Sequence, residues 1–297
     1  MTGDHDAVRS ALGRVGVWTF GFDERASTAI AADVRGIERA GYTALWIPEG
    51  GGSNDVLTNL SWLLGASHRL TVASGIANIS AREPEVLARG AAFLRETSGN
   101  RLVLGVGVGH AYTTVRRGIE WAKPLARMRA YLDVMDEAVD SPAAPRMLAA
   151  LGDGMLRLAA ERSLGAHSYF VPVAHTERAR AVLGSDPVLA VEQGVLLTED
   201  ASVARASARD WAVHYLELPN YANSWRRLGY GEDDVAGGGS DRLLAAAFAW
   251  GPEAIADRVR AHLAAGADHV CIQVIGSADA DEDVATLRGL APLLLSV

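Results

Sequence analysis

RLVLGVGVGH (residues 101–110) reads as a buried strand that stops at a histidine. Leu102, Val103, Leu104, Val106 and Val108 form the near-continuous apolar run of a strand covered on both faces, as in a parallel sheet. Gly105, Gly107 and Gly109 interrupt that logic, because glycine weakens a strand and leaves no side chain to pack. Three such positions in alternation imply that something comes close to this backbone. His110 follows at the C-terminal end of the run.

The same unit recurs on either side. VGVWTF (15–20), TALWIPE (43–49) and RLTVASGIA (69–77) read as strands before it. PRMLAALG (145–152), AHSYFVPV (166–173), VLAVEQGVLLT (188–198) and DHVCIQVIG (268–276) read as strands after it. Amphipathic stretches alternate with them: 24–40 ending at Gly41, 56–67, 84–99 opened by Pro84, a long helix across 114–139, then 154–165 and 176–184. A further helix begins near Asp200, and a terminal one follows the last strand. Eight strand–helix units in 297 residues predict an α/β (β/α)8 TIM barrel occupying residues 1–297 as one domain. Residues 199–265 are too long for one crossover. LELPNYANSWRRLGYGEDDVAGGGSDRL (216–243) therefore marks an insertion at about 218–240, before the last strand. It would lie over the barrel mouth or act as a flap; a disordered surface excursion is the other reading.

Composition narrows the function. Acidic side chains outnumber basic ones, 36 to 28, and the basic ones are scattered, so no nucleic-acid footprint is present. A single cysteine, Cys271, excludes an intrachain disulfide and the cysteine-rich zinc patterns, and it reads as a small buried hydrophobe. No histidine pair sits at ligand spacing on a strand and HExxH is missing, so no metal is expected. No leader-like apolar segment and no membrane-length run occur, which predicts a soluble cytoplasmic protein. Lys123, the only lysine, falls in a polar helical stretch rather than at a strand end, which argues against Schiff-base chemistry.

Active sites of such barrels lie at the C-terminal strand ends. Those ends supply few ionisable groups: Glu49, His110, Asp153 and His167. The remainder is glycine and apolar, which suits a flat ring held by backbone contacts and a few polar groups. Phe20, Tyr112 and Tyr221 are the candidate substrate-pocket residues. His5, His68, His175, His214, His262 and His269 read as surface or helix residues.

ALWIPE (44–49), TVASGIANISAREP (71–84), RLVLGVGVGHA (101–111) and MLAALGDGMLRLAAERSLGAHSYFVP (147–172) together resemble the bacterial luciferase-like superfamily, in its deazaflavin (coenzyme F420) oxidoreductase branch. The likeness runs in order over about residues 13–297. It implies hydride transfer between the deazaflavin C5 and a small organic substrate, with FMN-dependent monooxygenation on the same fold as the alternative. It implies a cofactor across the barrel mouth, approached by backbone at Gly107 and Gly109, with Thr113 in contact. His110 falls where related enzymes place an acid/base residue; capping a helix is its other reading. Ser74-Gly75-Ile76 falls where relatives carry a non-prolyl cis peptide behind the ring, at either Ser74–Gly75 or Gly75–Ile76, with Asn78 near the ring's polar edge. Glu49 matches a carboxylate near the head group and is a second proton-handling candidate, or else a solvated loop carboxylate. Gly152, Asp153 and Gly154 open a helix whose N–H groups would take the cofactor phosphate, although Asp153 can equally cap that helix. His167 would reach the same tail or pack the barrel.

Two departures stand out. Gly50 replaces a histidine common in relatives, and Asp153-Gly154 stand where relatives often have proline and a basic residue. They motivate a further alternative, a non-catalytic barrel with little cofactor affinity. The resemblance also implies a homodimer through helices near 54–67 and 84–98, with no nucleic-acid or membrane partner.

Overall fold

The computed structural model describes residues 2–22, 25–50, 52–121, 123–139, 143–276 and 280–297. Ten strands occur among them: β1 Val15–Trp18, β2 Ala44–Ile47, β3 Thr71–Ser74, β4 Ala77–Asn78, β5 Leu102–Gly107, β6 Arg146–Ala149, β7 Gly165–Ser168, β8 Val188–Leu196, β9 Phe248–Trp250 and β10 His269–Val274. All pair in parallel, in the order β10-β1-β2-β3-β5-β6-β7-β8. The β10–β8 ladder, His269↔Ala190 to Val274↔Val195, closes the circle. The result is a closed eight-stranded barrel wrapped by helices, as the strand count predicts. Two short strands decorate its rim: β4 pairs with β5 and β9 with β8.

Strands buried on both faces divide the core into two layers. Trp18, Trp46, Val103, Met147 and Cys271 fill the barrel, whereas Val17, Leu45, Val72, Leu104 and Ile272 pack outward against helices. Helix Thr2–Leu12, which the periodicity does not reveal, pushes Val8 and Leu12 into the inner layer. Its C-terminal carbonyls are held from below: the Thr71 hydroxyl donates to the Ala11 carbonyl at 2.8 Å, and the Thr43 hydroxyl to the Leu12 carbonyl. That end of the barrel is therefore plugged, and only the C-terminal rim is left to open into a site.

The expected helix across 114–139 is two helices, Ala111–Arg116 and Pro124–Ala138. Proline opens the second and disfavours helix in the residue before it. Lys123 accordingly adopts φ 43 outside the helix, correcting its helical placement. Residues 24 and 122, expected in helices, lie outside the described residues.

After β8 the chain builds a helical cap from Ala201–Leu216, Pro219–Arg227, Glu232–Val235 and Asp241–Ala247. The segment expected as an insertion, 218–240, is the middle of this cap. Leu216, Tyr221, Trp225, Leu244 and Phe248 pack there with Phe170 and Ile275 into a separate apolar cluster. So large a buried cluster makes the cap a folded part of the barrel top rather than a loose excursion. Helix Pro252–Ala264 then makes the crossover to β10. Three histidines read as surface or helix residues are buried: His175 and His262 within their helices, and His269 inside strand β10. No helix among the described residues is long and apolar enough to cross a membrane.

Candidate active site

The glycines of β5 answer to the protein's own chain. A Cβ on Gly105 would drive into the Ser74 carbonyl oxygen, and one on Gly107 would lie 2.6 Å from Ile76 Cδ1. One on Gly109 would collide with the Asn78 amide, and Gly109 also holds φ 67, which side chains rarely adopt. What approaches this backbone is the 74–78 bulge, in which Gly75–Ile76 is the cis peptide. The Ser74 hydroxyl donates to the Gly105 carbonyl at 2.8 Å and fastens the bulge to β5. Ser74 and Gly107 thus support the bulge and do not themselves line the cavity. Gly75, Ile76, Asn78, Gly109 and Thr113 do line it.

The cavity at the C-terminal rim has a volume of about 990 Å³. That is at the upper end for small-molecule sites, enough for a large flat ligand and a smaller one together. Its walls include Trp18, Phe20, Tyr169 and Ile76 from the barrel and Trp211, Tyr215 and Tyr221 from the cap. Phe20, Tyr112 and Tyr221, the sequence candidates for the substrate pocket, all border it.

His110 stands where β5 hands over to helix Ala111–Arg116. Its ring stacks on Tyr112 at 5.8 Å and meets Tyr221 at 5.8 Å. Its side chain makes no capping bond, and its buried Nδ1 has no hydrogen-bond partner. Burial holds its pKa below the usual histidine value, so the neutral imidazole prevails at pH 7. Thr113 is fixed one turn on, its hydroxyl donating to the His110 carbonyl at 2.9 Å.

Glu49 is committed elsewhere. Arg82 grips both of its oxygens, and the Asn78 N–H donates to Oε2 at 2.7 Å. It borders the cavity, yet its bonds serve to pin the 74–78 bulge to β2. His167 stacks on Trp46 at 4.5 Å inside the barrel, beneath Gly75. Burial depresses its pKa to about 3, so it is a neutral residue at the floor of the cavity.

The Gly152 turn is arranged differently from the sequence expectation. Gly152 itself is the N-cap of helix Asp153–Arg162, and Asp153 turns away to pair with Arg178 at 2.8 Å. The acidic group is thereby removed from the cavity, where Gly152 and Gly154 remain. The first turn of this helix carries N–H groups with no intrahelical acceptor, at the positive end of its dipole. Arg227 of the cap bonds the Leu151 carbonyl at 3.3 Å and adds a cation on the same wall.

Tyr169, Trp211, Tyr215 and Arg227 were not singled out by sequence reasoning. Three come from the cap, and no local pattern reports which face of a cap helix meets a cavity. Among the described residues no cluster of His, Cys, Asp or Glu is placed to hold a metal ion.

A family model described as luciferase-like monooxygenase matches residues 23–273. The chain is 30% identical over 106 residues to a 5,10-methylenetetrahydromethanopterin reductase of Archaeoglobus fulgidus, covering 36% of this chain and 32% of that one. It is 32% identical over 149 residues to a Mycobacterium tuberculosis protein provisionally named a coenzyme F420-dependent oxidoreductase, covering 49% and 42%. The match thus spans less than half the length of either relative. Among solved structures, an F420-dependent secondary alcohol dehydrogenase bound to an F420–acetone adduct superposes with TM-score 0.75 at 14% identity, over 95% of this chain and 98% of that one. The oxygenating constituent of 3,6-diketocamphane monooxygenase of Pseudomonas putida, with FMN, gives 0.68 at 16%, over 95% and 96%. At those identities the likeness is one of fold.

Proposed function

The chain belongs to the luciferase-like monooxygenase family, and from that premise we propose that it is an oxidoreductase using the deazaflavin coenzyme F420 on a small organic substrate. What supports this reading is one cavity lined both by aromatic and apolar side chains and by the N-terminus of helix Asp153–Arg162 with Arg227. The residues fit such a group. Gly75, Ile76, Asn78 and Gly109 would back the ring, and the Gly152 helix N-terminus with Arg227 would hold the phosphate. F420, when bound, supplies or accepts a hydride at ring carbon C5. The chain's part is to position ring and substrate, exclude water with the aromatic cap, and move a proton. His110 is the group for that last task, because its Nδ1 is unpartnered and Glu49 is tied to Arg82.

The Mycobacterium tuberculosis relative, 32% identical over 149 residues, bears an F420-dependent name, which favours the deazaflavin over FMN. Titration of the protein with F420 and, separately, with FMN tests the reading, followed by deazaflavin or flavin fluorescence. Saturable binding of F420, at least tenfold tighter than FMN, is expected. Tighter FMN binding would make the protein a flavin enzyme, and failure of both would mark a barrel that has lost its cofactor.

The same proposal includes a homodimer. Helices Val56–Ala66 and Pro84–Thr97 expose Trp62 (46%), Val86 (56%) and Phe93 (64%), an apolar surface suited to a second copy.

A further inference from the structure

We infer that the substrate is an uncharged, flat ketone or alcohol, whose oxygen accepts a hydrogen bond from the Tyr215 hydroxyl. This rests on the oxidoreductase reading and adds the chemistry of its second ligand.

The cavity wall opposite the glycine-rich rim is a run of rings. Trp18 meets Phe20 at 4.7 Å and Tyr169 at 4.9 Å; Trp211 meets Phe20 and Tyr215, each at 5.8 Å. Tyr221 stands edge-on to Tyr215 at 5.2 Å and leads to His110. These rings come from the barrel rim and from the cap, and stacking on such rings favours a flat ligand.

No free ion lines this wall. Glu49 is neutralised by Arg82, Arg227 stands by the Gly152 turn, and His214 and Glu217 are exposed at the rim. A charged substrate entering the aromatic slot would lose its water without gaining a counter-ion, a cost of several kcal/mol. Neutral ligands carry no such penalty.

Beside the unpartnered Trp18 indole N–H and His110 Nδ1, the polar atoms of this surface include phenol hydroxyls, two of them paired. Tyr169 Oη donates to Tyr215 Oη at 3.0 Å. Tyr215 has thus filled an acceptor site while its own proton finds no acceptor among the described residues. Both rings line the cavity. Accepting one hydrogen bond strengthens a hydroxyl as a donor to the next group. Burial raises the pKa of both phenols, so they remain protonated donors at any physiological pH. A phenol that must donate selects an acceptor oxygen, which a ketone or alcohol supplies and a hydrocarbon lacks.

Binding to the full-length protein without cofactor tests this directly, using α-tetralone, tetralin and α-naphthoate as probes and tryptophan fluorescence as the signal. Tetralone is expected to bind about three- to tenfold more tightly than tetralin, the range for one neutral hydrogen bond. Naphthoate, measured with excess inorganic phosphate to occupy the Arg227 corner, is expected to bind more weakly than either. Tyr215→Phe should erase the preference for tetralone and leave tetralin affinity unchanged, a pattern that general loss of structure would not give. Tyr169→Phe should reduce the preference in part. Equal binding of tetralone and tetralin by the wild type, a preference that survives in Tyr215→Phe, tightest binding of naphthoate, or no probe binding at all would overturn the inference. Because no cofactor is present, these outcomes are separate from the F420 titration, whose failure would sink the oxidoreductase reading alone.

Discussion

His110 brings three properties together where β5 meets the cavity. Its ring is held between Tyr112 and Tyr221, its Nδ1 has no partner, and it borders the cavity. Since burial lowers its pKa, the folded protein carries the neutral base at pH 7, ready to take a proton from an alcohol. Protonation as pH falls below the ordinary histidine value removes that base. Alcohol oxidation should therefore show an acid limb with an apparent pKa below 6.5. His110→Gln should reduce kcat by about 100-fold, the lower range for general acid–base catalysis, and abolish that limb. The F420 dissociation constant should stay within a factor of about three, as expected for a residue outside the cofactor's main contacts. A retained acid limb in the variant would assign it to another group. The sequence could rank His110 and Glu49 only as equals, because both close strands; the distinction lies in Arg82, which reaches Glu49 from 33 positions away.

At the scale of elements, β5 and the 74–78 bulge are one device. Each glycine of β5 clears a particular atom of the bulge, so the glycine pattern was legible as a close approach, but its object was not. Backbone crowding leaves the same signature whether the visitor is a ligand or the next strand. Gly107→Ala would push a methyl against Ile76 and within 3.1 Å of the Ala149 Cβ. Overpacking of this kind costs about 1–3 kcal/mol. Ile76 borders the cavity, so its displacement should lower F420 affinity together with thermal stability. The double variant Gly107→Ala/Ile76→Val removes the opposing methylene and should recover part of both losses, measured by melting temperature and cofactor titration. No recovery would mean that Ala149, not Ile76, takes the strain. The barrel strands themselves were readable because each is a buried apolar run with a turn signal behind it. The cap was not, since its helices Ala201–Leu216 and Pro219–Arg227 bury faces against Phe170 and Ile275, partners distant in sequence.

Across the whole molecule, the buried titratable groups set how the fold responds to pH. Burial lowers His167 and His262 to about 3, and His175 and His269 to about 4. His269 shows why the neutral form is required. Trp46 Nε1 donates to its Nε2 at 3.0 Å while its Nδ1 is bonded to the Gly13 carbonyl at 2.8 Å, so a second ring proton would face the indole N–H. His262 bridges Thr176 and Gln193 in the same manner, tying helix Val173–Leu183 to β8 through helix Pro252–Ala264. Each of these histidines takes up a proton on unfolding once pH falls below about 6.5, and none does so in the folded state until pH nears 4. Their stabilisation is complete above the unfolded pKa and is lost as pH drops toward the folded values. Glu192 works in the opposite sense. Burial raises it to about 8, so the folded chain keeps a proton that the unfolded chain releases above about 4.5. Its contribution is present below the unfolded value and is lost as pH rises to 8. With four histidines against one carboxyl, stability should fall by about 4 kcal/mol per pH unit between pH 6 and 4.5. Above pH 7, where the histidines no longer offset Glu192, it should decline more gently, by about 0.5 kcal/mol per unit up to pH 8. The melting temperature should accordingly peak near pH 7. Glu192→Gln should abolish the alkaline decline and steepen the acid side by nearly one proton, and His262→Gln should remove about one proton from the acid slope. A melting temperature that holds level from pH 6 down to 4.5 would mean that these imidazoles already share their protons with water in the native barrel.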